Sequence, residues 1–221
     1  MAVLSARSLA SILYYAKAFN FSQQDARMSS ADFDQLTAAV SRLFEVLSRR
    51  QIPYLLVGGI AMRVHVEGRN TQDIDLIMRR SDLASLEQLI IADESRNFIR
   101  ADYYGLQVDL LLTQNPLFKQ VETQYKTQIQ WGTQTIPCAT PQGLVILKLY
   151  ALPSLYRQGQ FDRAALYETD ILQLAYNYKI NLEPAIRIVD PHLIETDRAE
   201  IRNIAADIER RIDRMRRSGQ G

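Results

Sequence analysis

The chain has 221 residues, of which 47% are hydrophobic and 23% are charged. This composition is typical of a folded globular protein and excludes a disordered, collagen-like or mucin-like chain. The length allows one catalytic domain with a helical extension, but it excludes two large independent domains. Since the formal net charge is only +1, binding to nucleic acid or to an anionic membrane would need a local basic patch.

Cysteine content and hydropathy indicate the cellular location of the protein. Cys138 is the single cysteine, which excludes an internal disulfide framework and predicts a buried thiol in a reducing cytoplasm. The apolar stretch at 9–15 is far shorter than the roughly 20 residues that span a bilayer. We therefore expect a cytoplasmic protein with neither a signal peptide nor a transmembrane helix.

The first third of the chain predicts three helices and one buried strand. Helical periodicity and a continuous apolar run that stops at a glycine pair are the signals. In order, the elements are a helix at 6–19, a polar linker at 22–30, a helix from about 30 to 49, a strand at 54–57 and a helix at 60–66.

The middle of the chain predicts mainly strands, because apolar and polar residues alternate at period two. The elements are a strand at 73–78, a helix at 82–91, an antiparallel pair at 98–103 and 106–112, and a hairpin at 129–131 and 135–138. Helices follow, one opened by Pro141 and others at 162–178, 182–189 and 197–217. We therefore expect an α+β fold, with a small mixed β-sheet flanked by helices and a helical C-terminal part.

The same pattern predicts three parts of the chain. They are an N-terminal helix and linker at 1–33, a core at 34–139 and a helical region at 140–221.

Three aspartates are candidate metal ligands. Asp73 and Asp75 lie two residues apart on a predicted strand, so both side chains point to the same side. On the strand at 106–112 the apolar residues share the core face, and Asp109 therefore points to the opposite face. Hard divalent cations prefer such carboxylate oxygens. An isolated Asp-x-Asp pair also suits the solvent face of an edge strand.

Gly58 and Gly59 end the predicted buried strand and open a helix. Backbone N–H groups at such a helix N-terminus can bind a phosphate, although a glycine pair in isolation also suits a simple turn. The glycine pair and the aspartate pair at this spacing together favour a nucleotide site.

These residues resemble a known family. Val57-Gly58-Gly59, followed after thirteen residues by Asp73-Ile74-Asp75-Leu76, resembles the signature of the DNA polymerase β-like nucleotidyltransferase superfamily. Gly-Gly-Ile-Ala, with Arg69-Asn-Thr71-Gln before the aspartates, is similar to the small prokaryotic nucleotidyltransferases related to AbiEii toxins. Further along, Leu147-Lys148-Leu149 resembles the family's helix with a triphosphate-binding lysine.

The resemblance implies a set of site residues. Asp73, Asp75 and Asp109 would hold Mg²⁺ or Mn²⁺, and Asp109 would also be able to take the acceptor's proton. An NTP substrate would be bound through its phosphates by Gly58, Gly59, Arg69, Thr71 and Lys148. A lysine on an apolar helix face can instead extend its ammonium group to solvent.

The last motif departs from the family pattern. Asp170-Ile171 matches it, whereas Leu166-Tyr167 stand where a Lys-Asp pair is expected. Asp170 would therefore belong to the nucleotide site or, alternatively, orient Lys148 or Arg163.

The resemblance also implies the reaction, which is transfer of a nucleoside monophosphate from an NTP to an acceptor. Because the similarity is to toxin-type members, the expected acceptor is RNA, such as a tRNA 3′ end, and the expected partner is a cognate antitoxin. The alternatives are nucleotidylation of a protein or small molecule, and a catalytically degenerate regulatory module that binds a nucleotide.

The C-terminal helix carries two further signals. Its apolar face predicts core packing or a homodimer contact. Its arginines form a local basic cluster that could contact RNA phosphates: Arg210, Arg211, Arg214, Arg216 and Arg217.

Overall fold

The computed structural model describes residues 5, 8–13, 30–66, 71, 73–132 and 134–218. The chain forms two compact units, Met1–Ala139 and Thr140–Gly221. Residues 8–13 are helical, as predicted, and the rest of the predicted first helix lies outside the described residues.

The first unit is built on a seven-stranded mixed sheet. Its strands are β1 Tyr54–Val57, β2 Ile74–Met78, β3 Leu89–Glu94, β4 Phe98–Tyr103, β5 Leu106–Leu112, β6 Lys126–Trp131 and β7 Gln134–Ala139. Their spatial order is β3-β4-β5-β2-β1-β7-β6. β2 pairs with β5, and β1 with β7, in parallel, and the other neighbours are antiparallel. The helices of this unit are α1 Ser30–Arg49, α2 Gly58–His65 and α3 Pro116–Gln124.

The antiparallel pair of β4 and β5 forms as the sequence predicts. The apolar residues of β5 at positions 106, 108, 110 and 112 are fully buried on one face of the sheet. Tyr104 and Gly105 connect the strands with positive φ at both positions, the backbone conformation of a two-residue hairpin. This short turn determines which residues of β4 and β5 lie opposite each other.

The predicted helix at 82–91 is wrong. Arg80–Ser85 form a short 3₁₀ helix, and Leu89–Glu94 form β3 at the edge of the sheet. Leu83, Leu86 and Ile90 are spaced as on a helix, but Ile90 is exposed and β3 instead pairs with β4. Pairing with a neighbouring strand outweighs a local pattern of this kind.

Helix α3 was not predicted, although the sequence carries a signal for it. The Asn115 side chain accepts a hydrogen bond from the Leu117 N–H, and Pro116 occupies the first turn. Both features are typical of a helix N-terminus.

The second unit contains four α-helices among its described residues. They are α4 Pro141–Arg157, α5 Phe161–Tyr178, α6 Leu182–Val189 and α7 Glu195–Ser218, with a 3₁₀ turn at Asp190–His192. Thr140 caps α4 by accepting a hydrogen bond from the Gly143 N–H. These bounds agree closely with the predicted helices, and the two units together confirm the predicted α+β class. Across the described residues, no helix is both long and apolar enough to cross a membrane.

We expect the sheet core, and not its edge, to supply stability. Ile99 on β4 is 0% exposed and Ile90 on the neighbouring β3 is 68% exposed. Ile99→Ala should lower the free energy of unfolding by about 2–5 kcal/mol, because it leaves a cavity in the core. Ile90→Ala, the matched control, should change it by less than about 1 kcal/mol. Urea unfolding measures both, and similar losses would contradict the burial of Ile99.

Candidate active site

The three candidate aspartates come together at one place on the sheet of the first unit. Asp73 directly precedes β2, Asp75 lies within β2, and Asp109 lies within β5. Carboxylate oxygens from all three lie within 4.8 Å of one another. The parallel pairing of β2 with β5 accounts for this, because Asp75 and Asp109 are direct partners in its register.

Asp73, Asp75 and Asp109 together form an aspartate triad. Asp109 is its most buried member, at 3% exposure, whereas Asp73 and Asp75 are half-buried. It points away from the apolar face of β5 towards the other two aspartates, as the period of the strand predicts. A buried carboxylate needs hydrogen-bond partners. Arg100 donates to both of its oxygens, with Nε–Oδ1 and Nη2–Oδ2 distances of 3.1 Å. Gln107 donates from Nε2 to Oδ1 at 3.3 Å.

Arg100 and Gln107 were not among the residues predicted from the sequence. The signal for Arg100 was present, because a two-residue turn at 104–105 pairs position 103 with 106 and therefore position 100 with 109. The hydrogen bond with Asp109 raises the pKa of Arg100, so its guanidinium keeps its positive charge beside the triad.

The other two aspartates also have donors. The Thr71 hydroxyl donates to Oδ1 of Asp73 at 2.6 Å. The backbone N–H of Gly59 donates to Oδ2 of Asp75 at 3.3 Å. Thr71 and Gly59 are thus at the site, but the structure shows them bound to aspartates, where the sequence predicted contacts with a phosphate.

The glycine pair lets the chain pass close to the carboxylates. Gly58 has φ of +63°, and a Cβ atom there would lie 1.8 Å from Oδ2 of Asp75. A Cβ atom on Gly59 would lie 2.5 Å from the Thr71 side chain. Both distances are far below van der Waals contact, so neither position has room for a side chain.

The donor set suits a divalent metal ion. Three carboxylates this close repel one another, and a doubly charged cation relieves that repulsion. All of the ligand atoms are hard oxygens, which Mg²⁺ and Mn²⁺ prefer, and the set contains no histidine or cysteine. The residues present therefore fit the predicted metal.

Lys148 and Asp170 lie together in the second unit. Both side chains are almost fully buried, and Nζ of Lys148 donates to Oδ2 of Asp170 at 2.7 Å. Of the two partners predicted for Asp170, Lys148 is thus the one it contacts, while the exposed Arg163 bonds to Gln160. Tyr167 stacks its ring against the ammonium, with 4.1 Å from Nζ to the ring centroid. The departure from the family pattern at Leu166-Tyr167 therefore places an aromatic face beside this lysine.

The remaining candidates contribute less. Arg69 lies outside the described residues. Cys138 is buried, and burial raises the pKa of its thiol to about 12, so it is unreactive at neutral pH. His65 bonds through Nε2 to the Ala139 carbonyl, and burial lowers its pKa.

Comparisons with known proteins show the fold. No protein-family model matches the chain, and no curated protein matches it. The crystal structure of ANT(2″)-Ia in complex with adenylyl-2″-tobramycin is similar, with a TM-score of 0.51 and 13% identity over 75% of this chain and 96% of that chain. The solution structure of the antibiotic-resistance factor ANT(2″)-Ia has a TM-score of 0.50 and 14% identity over 79% of this chain and 95% of that chain.

A third structure, an antigenic nucleotidyltransferase-like protein from Paracoccidioides brasiliensis, has a TM-score of 0.49 and 16% identity over 82% of this chain and 95% of that chain. The two ANT(2″)-Ia structures show that this chain shares the fold of that protein.

The close approach at Gly58 predicts a large effect of one methyl group. Gly58→Ala should lower the free energy of unfolding by more than the roughly 1–2 kcal/mol of a left-handed backbone, because its Cβ also collides with Asp75. Gly132→Ala is the matched control, since Gly132 has φ of +54° and open space around it. Urea unfolding compares the two variants, and equal losses would mean that Asp75 moves aside without penalty.

Proposed function

We propose that this protein is a metal-dependent nucleotidyltransferase that moves a nucleoside monophosphate from an NTP to an acceptor. The convergence of Asp73, Asp75 and Asp109 within 4.8 Å carries the proposal. Two further observations support it. The backbone of Gly58 and Gly59 passes beside the carboxylates, and the chain shares its fold with ANT(2″)-Ia.

Each aspartate has a role in the proposed reaction. Asp73 and Asp75 would hold two Mg²⁺ ions, and Asp109 would hold the one nearest the acceptor. When bound, these ions supply positive charge to the transferring phosphoryl group. Asp109 accepts the proton of an acceptor hydroxyl, while the oxygen of that hydroxyl forms a bond to the α-phosphorus. The bond from the α-phosphorus to the oxygen bridging to the β-phosphate breaks, and pyrophosphate leaves with that electron pair.

We also propose which residues bind the phosphates of the NTP. Gly58 and Gly59 open α2, where backbone N–H groups favour an anion. Thr71 is buried beside Asp73, within reach of a group bound there. The sequence resemblance adds Arg69 and Lys148 to the proposed set, and within the second unit Asp170 holds the Lys148 ammonium in position.

RNA is the first candidate acceptor, such as a tRNA 3′ end, in a toxin with a cognate antitoxin. Besides the sequence resemblance, the exposed arginines of α7 support this candidate. Arg210, Arg214 and Arg217 follow one another at helical spacing on the face opposite the buried Ile201, Ile208 and Ile212. Such a stripe can contact successive phosphates of a nucleic acid.

A hydroxyl of a small molecule is the second candidate acceptor. The observation that favours it is the ANT(2″)-Ia structure, in which the compound bound is an adenylylated tobramycin. To separate the two candidates, the purified protein and Mg²⁺ are incubated with each α-labelled NTP, and tRNA, total RNA and aminoglycosides are supplied in parallel reactions. The acceptor that takes up the label identifies the substrate class. Binding of NTP by calorimetry without transfer to any acceptor, including protein, would identify a regulatory nucleotide-binding module instead.

The triad predicts loss of transfer on removal of a single charge. Asp75→Asn should lower the rate by at least about 10²-fold, because it removes a metal-binding charge at nearly constant volume. Chelation of divalent ions should abolish transfer by the wild-type protein. Asp34→Asn on the exposed face of α1 is the control and should retain activity. A folded Asp75→Asn protein with near-normal turnover would remove the two-metal proposal.

The test of Lys148 must distinguish a role in stability from a role in the transfer reaction. Lys148→Met alone should destabilise the protein by roughly 3–5 kcal/mol, because it leaves the charge of Asp170 buried without its ammonium partner. Lys148→Met with Asp170→Leu removes both charges and should regain most of that stability.

If Lys148 stabilises the triphosphate, this folded double variant should still lose at least about tenfold in kcat/KM. Lys179→Met, at the exposed end of α5, is the matched control and should have little effect. Full activity of the double variant would assign Lys148 a purely structural role.

A further inference from the structure

A row of charged side chains crosses the sheet at the candidate metal site. Asp93 of β3 is the register partner of Arg100 on β4, Arg100 is the partner of Asp109 on β5, and Asp109 is the partner of Asp75 on β2. Cross-strand partners on one face of a sheet have side chains close enough to interact. Arg100 thus lies between two carboxylates, with its guanidinium on the face that holds the triad.

The contact between Arg100 and Asp109 is bidentate. Both 3.1 Å hydrogen bonds start from different nitrogens of one planar guanidinium and end on different oxygens of the carboxylate. This fork geometry is the strongest common form of ion pair. The Asp109 side chain is 4% exposed and that of Arg100 is 42% exposed. Arg100 therefore reaches the buried aspartate from the solvent side.

Three hydrogen bonds already occupy Asp109 before a metal ion or an acceptor proton reaches it. An ionised carboxylate offers about four lone-pair positions. Arg100 and Gln107 both donate to Oδ1, and Arg100 also donates to Oδ2. A metal ion that binds Asp109 would therefore have to displace or share these hydrogen bonds, and it would lie near the positive charge of Arg100.

We propose that Arg100 is the protein's own counter-ion for the triad, which orients Asp109 before a divalent cation binds and competes with that cation for it. This inference rests on the proposed function, because it takes the triad as the metal site. It makes Arg100 a positioning residue that acts through Asp109. The guanidinium offsets part of the repulsion among the three carboxylates, and so lowers the affinity of the triad for the cation.

Binding of Mn²⁺ without nucleotide or acceptor tests the proposal directly. Electron paramagnetic resonance measures the free Mn²⁺ during a titration and therefore gives the amount that is bound. The part of the binding that is lost in Asp75→Asn is assigned to the triad. Arg100→Gln removes the positive charge and should bind Mn²⁺ at least about fivefold more tightly than the wild type. Arg100→Lys keeps the charge and should stay within about twofold of the wild type.

Arg80→Gln is the matched control. Arg80 is as exposed as Arg100 and pairs with Glu94 on β3, and its loss should leave Mn²⁺ affinity unchanged. Circular dichroism and thermal unfolding check each fold. Arg100→Thr, which is neutral and favourable in a strand, replaces Arg100→Gln if the latter does not fold.

The outcomes separate this inference from the function on which it rests. Unchanged or weaker Mn²⁺ binding by folded Arg100→Gln would overturn the counter-ion role while leaving the metal site intact. Equal tightening in Arg100→Lys would also overturn it, because charge would then not be the cause. Failure of the wild type to bind Mn²⁺ at the triad would remove the metal site itself.

Discussion

The parallel pairing of β2 with β5 is the contact on which the site depends. It places Asp75 beside Asp109, although 33 residues separate them in the sequence and β3 and β4 intervene. A shift of one residue in this register would turn Asp109 to the apolar face, where its charge would have no partner. The buried residues at 106, 108, 110 and 112 oppose such a shift, because it would expose all of them. Core packing and the arrangement of the carboxylates are thus coupled.

Three negative charges at one place must be compensated, and each aspartate has its own donor. A hydroxyl donates a hydrogen bond to Asp73, a backbone N–H donates to Asp75, and a guanidinium and an amide donate to Asp109. The strength of compensation follows burial, since the most buried carboxylate receives the charged donor. The glycine pair belongs to the same arrangement, because only a residue without a side chain brings its backbone this close to Asp75.

The second unit contains a different polar pair. Lys148 and Asp170 neutralise each other inside a helical unit, and the ring of Tyr167 covers the ammonium. A buried pair of this kind adds little to stability by comparison with apolar residues of the same volume. The pair holds the Lys148 ammonium in one position, as the proposed function requires.

The sequence by itself determined the α+β class, most strands and helices, and the separation of apolar from charged faces, because these follow from local periodicity and turn residues. The faces of Asp75 and Asp109 follow in this way from the period of two. The short turn at 104–105 even specifies the partner of Asp109 on β4, although Arg100 was not recognised from it. Tertiary structure alone decided that 89–94 form an edge strand and that β2 lies beside β5. It also decided that Lys148 pairs with Asp170 and not with solvent. These outcomes depend on contacts between residues distant in the chain, whose energies no local pattern contains.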